Sequence, residues 1–244
     1  MSLRNTASPS LAFLRRWRPP SLCAVCHDWG THRVCETCLA RFASPLARCS
    51  RCAIELPSGV AVCGRCLAVP PAFERTLAAL PYAYPWDGLV LRFKFSAGLD
   101  LVRVLAQQLA ACVQAGDDAL PSLVLPVPLA LPRLRERGYN QAWELARRVA
   151  ADAGRHTDAR LLLRVRDGPH QLALPADRRA ANVRGAFAVE PLRRAELQGR
   201  TIALVDDVMT TGATANEAAT VLLKAGAASV HVWVLARTPA PDER

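Results

Sequence analysis

IALVDDVMTTGAT, residues 202–214, sets an apolar run against two adjacent carboxylates and a threonine-rich turn. Ile202 to Val205 read as a strand apolar on both faces, the pattern of a covered parallel sheet. Asp206 and Asp207 then close a core strand with two charges that are costly to leave there without a partner. Neighbouring side chains on a strand point to opposite faces. One Asp is therefore expected to face a ligand directly, and the other to act through water or a metal shell. Gly212 permits a turn that a bulkier residue resists. Thr210, Thr211 and Thr214 supply hydroxyls, and the turn opens a helix whose free amides attract an anion. Ribose hydroxyls on the carboxylates and a phosphate on the amides is the arrangement this order of groups suits. For a lone TTG, a threonine cap after an acidic turn, with no ligand, is the better reading. The apolar run, the paired Asp and TTGAT together favour the phosphorylated ribose.

Outward from this stretch, strand-like and helix-like patterns alternate. Extended segments are expected at 77–84, 122–127, 161–165, 185–189, 201–205 and 229–235. Helices are expected at 86–95, 100–115, 133–152 and 213–225, the last stopped by Gly226. Such alternation implies an α/β fold with a mostly parallel sheet flanked by helices, whose ligands sit at the carboxyl ends of the strands.

The region 21–70 has a different composition and holds eight of the nine cysteines. They form four CxxC pairs: Cys23 with Cys26, Cys35 with Cys38, Cys49 with Cys52, and Cys63 with Cys66. Two such knuckles complete a tetrahedral site of four sulfurs, which suits zinc. Two structural Zn²⁺ ions are expected, since a closed four-thiolate site leaves no open position for catalysis. Pairing in chain order is the expectation; a crossed arrangement of the pairs is the alternative. So short a segment, poor in large apolar side chains, needs the metal to fold. His27 and His32 read as surface residues and Cys112 as a buried thiol on a helix.

The divisions that follow are a basic tail at 1–20, a double zinc ribbon at 21–70, a transferase-like domain at 71–238 and a short tail at 239–244. No apolar run approaches the ~20 residues of a membrane helix, and the N-terminal LAFL is too short for a secretory signal. The expectation is a cytoplasmic protein with no membrane insertion and with its cysteines as thiols or metal ligands. A net charge of +10 fits a polyanionic or phosphorylated partner, although an arginine- and alanine-rich composition accounts for such charge as well.

Residues 202–214 resemble the phosphoribosyl pyrophosphate (PRPP) signature of type I phosphoribosyltransferases. LRFKF at 91–95, LPVPL at 125–129, RLRERGYNQA at 133–142, and Gln171 with LPADRRAANVRGAF at 174–187 are similar to the ComF family, associated with bacterial competence. The layout, cysteine pairs before a transferase-like domain, is also that of the family. The resemblance implies that Asp206 and Asp207 take the ribose hydroxyls and organise Mg²⁺. It implies that Thr210, Thr211, Gly212, Ala213 and Thr214 hold the 5′-phosphate of PRPP or another ribose 5-phosphate. Arg137, Gly138, Tyr139, Asn140 and Gln141 would then lie near the pyrophosphate. Arg179 and Asn182 would belong to a loop over the site, with Arg179 catalytic beside Asp206 and Asp207.

Three functions follow. The first is a PRPP-binding protein that assists DNA uptake, through handling of incoming single-stranded DNA with a helicase-like partner, or the use of DNA as a nutrient. The second is an active transferase acting on a nucleobase or related acceptor. Thr210 stands where oxopurine transferases commonly carry an Asp, which speaks against hypoxanthine or guanine. The third is a zinc-ribbon interaction protein with a vestigial ligand site.

Overall fold

Strand and helix order follow the alternation of the sequence closely in the computed structural model, which describes residues 20–95, 98–116, 120–166 and 183–239. Ser21–Leu22 (β1), Trp29–Gly30 (β2) and the helix Glu36–Phe42 (α1) frame the first four cysteines. Gly64–Ala68 (α2) carries the last of the second four. Then come Arg75–Pro81 (β3), Trp86–Phe95 (α3), Val102–Gln114 (α4) and Leu123–Pro126 (β4). Leu131–Arg137 (α5), Gln141–Asp152 (α6) and His156–Thr157 (β5) follow. Leu162–Arg164 (β6) and Phe187–Val189 (β7) precede Thr201–Met209 (β8), Ala213–Lys224 (α7) and Ser229–Arg237 (β9).

Five strands form the main sheet in the order β3-β9-β8-β4-β5, and every pairing in it is parallel. Alternation along the strands divides the core into two layers. Val124, Ala203, Val205 and Trp233 pack with Leu105 and Leu109 of α4 and Leu145 and Val149 of α6. Leu125, Ile202, Leu204 and Val232 face the other way, onto Ala215, Ala218, Ala219 and Leu222 of α7 and onto Phe187 of β7. Alanines on the inner face of α7 let that helix sit close to the sheet. The antiparallel β6–β7 pair stands outside the main sheet.

Three expectations change. The helix expected over 133–152 is two helices. Gly138, at φ 79°, ends α5, with its N–H donating to the Leu134 carbonyl; this is the left-handed cap that glycine favours. Asn140 then caps α6, its side chain accepting from the Ala142 amide at 3.0 Å. Second, β8 does not stop at Val205. It runs to Met209 because β9 accompanies it, up to a Met209–Arg237 pairing. Third, β5 is a two-residue strand with no apolar alternation to announce it. Among the described residues no helix is long and apolar enough to cross a membrane.

The cysteine-rich segment is tied to the sheet domain by buried polar contacts. Trp86, fully buried at the start of α3, donates its indole N–H to the Phe42 carbonyl at 2.7 Å. Trp86→Phe keeps most of the ring but leaves that carbonyl without its donor. Urea unfolding is expected to show a loss of about 1–3 kcal/mol; a variant as stable as the parent would show that the bond contributes nothing.

Candidate functional site

Asp206 and Asp207 lie within the last turns of the β8 pleat, at the carboxyl edge of the sheet. The Asp207 amide donates to Asp206 Oδ1 at 2.8 Å. Asp207 Oδ1 meets Lys94 Nζ, from the end of α3, at 3.1 Å. Burial, and then the charge of Asp207, push the Asp206 carboxyl up to about 7. A cation or a hydroxyl donor at this carboxylate would relieve that cost.

The loop after β8 turns at Gly212, whose φ of 81° is the left-handed conformation that only glycine adopts freely. Thr211 Oγ1 accepts from the Ala213 amide at 3.3 Å, and α7 begins directly. The first amides of a helix have no partners within it. Asp206 and loop 208–215 enclose a hollow of about 30 Å³, more than the ~10–15 Å³ that one water occupies.

Beside it lies a larger cavity of about 200 Å³, bounded by both aspartates and by Lys94, Arg133, Arg137 and Arg164. The two hollows share Asp206, Val208 and Thr214. Arg137 lies over the Phe95 ring at 4.6 Å and donates to Gln141 Oε1 at 3.1 Å. Its Nε is buried without a hydrogen-bond partner among the described residues, and burial lowers the pKa of its guanidinium. A guanidinium with a donor to spare beside a polar cavity suits an anionic oxygen.

The sequence-derived site residues divide as follows. Asp206, Asp207, Thr214, Arg137 and Asn140 line the larger cavity, and Thr210, Thr211, Gly212 and Ala213 line the smaller one. Asn140 is also committed to scaffolding, since its Nδ2 donates to the Val127 carbonyl at 3.0 Å. Gly138 serves as the α5 cap and lines neither hollow. Tyr139 donates its hydroxyl to the Phe93 carbonyl and packs on the Phe93 ring. Gln171, Arg179 and Asn182 lie outside the described residues.

Lys94, Arg133 and Arg164 were not singled out from sequence. Lys94 sits in the quoted LRFKF and is one of two lysines in the chain, the one local sign that it is special. Its approach to Asp207 arises from the fold.

The cysteines group in chain order, the first four together and the second four together, with the sulfurs of each group within 4.8 Å of one another. Measured separations are 3.9 Å for Cys23–Cys38, 3.7 Å for Cys26–Cys35 and 3.7 Å for Cys52–Cys63. A tetrahedral zinc with Zn–S bonds of ~2.3 Å places its sulfurs ~3.8 Å apart. Backbone amides also point at the sulfurs: Cys35 N–H at Cys23 Sγ and Cys63 N–H at Cys49 Sγ, both at 3.3 Å. Burial opposes ionisation of the Cys23 thiol, yet the surrounding amides bring it down to about 6. Each group can hold one zinc ion. His27 and His32 are exposed and belong to neither group. Cys112 is half-buried on α4 rather than fully buried.

The phosphoribosyl transferase domain family matches residues 97–244. The DNA utilization protein YhgH of Salmonella typhi is 33% identical over 229 residues, which is 90% of this chain and 98% of that protein. Competence protein F of Haemophilus influenzae is 34% identical over 171 residues, covering 68% of this chain and 74% of that protein. Competence protein ComFC of Bacillus subtilis is 28% identical over 148 residues, covering 60% of this chain and 58% of its own length. The chain therefore belongs to the phosphoribosyl transferase domain family and, within it, to the ComF family of competence and DNA-utilization proteins.

Proposed function

We propose that this protein binds PRPP with Mg²⁺ at the carboxyl edge of its sheet and serves the uptake or use of DNA in the cytoplasm. The observation that carries the first half is the pair of hollows meeting at Asp206, Val208 and Thr214. The smaller, lined by the 208–215 loop, fits the 5′-phosphate, which the leading amides of α7 and the threonine hydroxyls would hold. The larger, with Lys94, Arg133 and Arg137 on its wall, fits the pyrophosphate. Between them Asp206 and Asp207 face the ribose, where their oxygens accept the hydroxyls and hold the metal ion. Mg²⁺ would neutralise pyrophosphate charge. Asn140 ties the start of α6 to the end of β4 and so fixes the pyrophosphate side. The resemblance to the family assigns Arg179 and Asn182 to the same site; both lie outside the described residues.

In this reading residues 21–70 are a double zinc ribbon and residues 71–238 the PRPP-binding domain. The DNA role is supported by the names of the relatives, by the net charge of +10, and by the exposed Arg133 and Arg135 of α5 beside the site. Incoming single-stranded DNA, passed on by a helicase-like partner, is the polyanion that this charge would meet.

Titration calorimetry with PRPP is expected to show binding that strengthens with Mg²⁺. The double change Asp206→Ala/Asp207→Ala should weaken it at least about a hundredfold, since two charge-assisted contacts are lost. Zinc content should stay at two ions per chain. Equal affinity in the variant would place the ligand elsewhere. In fluorescence anisotropy, affinity for single-stranded DNA should fall at least about tenfold between ~50 and ~200 mM salt. Binding that ignores salt, or no binding, would remove the DNA part of the reading.

A further inference from the structure

We propose that the second four-cysteine group is a brace for the phosphate loop, and that Arg237 and Arg65 are the positioning residues that connect the two. This rests on the reading of residues 208–215 as the 5′-phosphate site.

Arg237 ends β9 and is 3% exposed. Its Nε donates to the Cys52 carbonyl at 2.9 Å, inside the first knuckle of the second group. Its Nη1 shares two hydrogens among acceptors within hydrogen-bond distance: the carbonyls of Met209 at 3.2 Å, Thr210 at 2.7 Å and Thr238 at 2.6 Å, and Thr238 Oγ1 at 3.1 Å. Arg65 lies on α2 between Cys63 and Cys66, and its Nη2 donates to the Thr211 carbonyl at 2.7 Å. Three successive loop carbonyls are therefore held by two arginines anchored on or in the cysteine-rich segment. The peptide plane is rigid and trans, so a carbonyl held on one side sends the next amide to the other. Holding the carbonyls of Met209, Thr210 and Thr211 fixes the amides of Thr210, Thr211 and Gly212, the turn that leads into the first amides of α7 and so sets the shape of the phosphate loop.

Charge points the same way. The acceptors named for Arg237 are neutral oxygens, and no carboxylate pairs with it among the described residues. A buried cation without counter-charge is costly. Four thiolates and one divalent cation carry a formal charge of −2, so the loaded second group supplies that counter-charge through Cys52 and Cys63; a group of neutral thiols does not. The first group stands apart: Cys23 and Cys38 pack into the core layer of α3 and α4, away from the loop.

Hydrogen exchange followed by mass spectrometry on the whole, zinc-loaded protein, without ligand, tests this. Cys63→Ser and Arg65→Ala should each speed exchange of residues 210–214 at least about tenfold, the effect of losing a charge-assisted contact. Protection of α6 should hold. Cys26→Ser, in the first group, should leave the loop as it is. PRPP affinity should weaken about tenfold in the same two variants. If Cys63→Ser loses protection in α6 as well, Arg65→Ala, a change at an exposed side chain, decides alone. Unchanged loop exchange in Arg65→Ala, or an equal rise in Cys26→Ser, overturns the brace. A loop that responds in a protein with no affinity for PRPP supports the brace and removes the ligand reading instead.

Discussion

β8 and β9 run in parallel register to their last residues, and Met209 pairs with Arg237. Most of the site follows from that pairing. It carries β8 past its apolar run, so that Asp206 and Asp207 stand in regular backbone at the edge of the sheet rather than in a loose turn. It also sets Arg237 beside the carbonyls of Met209 and Thr210. On its other side β8 pairs with β4 through Pro126 against Val205, which brings the Val127 carbonyl to Asn140 and so places α6. A parallel sheet gathers its strand ends on one edge, and here that edge holds the acidic pair, the glycine turn and the cationic wall.

Electrostatics at this edge are uneven, and the unevenness has a direction. Asp206 is pushed towards protonation by burial and by Asp207, while Arg137 keeps a buried nitrogen without a hydrogen-bond partner among the described residues. Both costs fall away when a ligand brings a cation or hydroxyls to the acids and an anion to the arginine. The metal-bound sugar phosphate proposed above would supply both.

Much of this was legible in the sequence, where the signal was local. Ile202 to Val205 read as a buried strand because both faces are apolar, and the acidic pair with TTGAT pointed to the ribose-phosphate site proposed above. Cysteine spacing gave the two groups, and the geometry settles their pairing in chain order. What was not legible came from contacts between distant segments. Asp206 to Val208 look like the exit from a strand, and only β9 beside them keeps them extended. Gly138 and Asn140 break the helix expected over 133–152, although a glycine followed by an asparagine before an apolar repeat is a visible stop and start. Lys94 reaches Asp207 from the end of α3. Arg237 looks like an ordinary strand-end arginine, and nothing nearby in the chain marks its contact with Cys52.

We propose that residues 202–214 hold a phosphorylated ribose between the hollow of the 208–215 loop and the cationic one. A crystal structure of the protein with PRPP and Mg²⁺ tests it most directly. The 5′-phosphate is expected against the amides of 210–214, the ribose hydroxyls on Asp206 and Asp207, and the pyrophosphate facing Arg137 and Lys94. Ligand density at another surface, or an empty strand edge at saturating ligand, would contradict it.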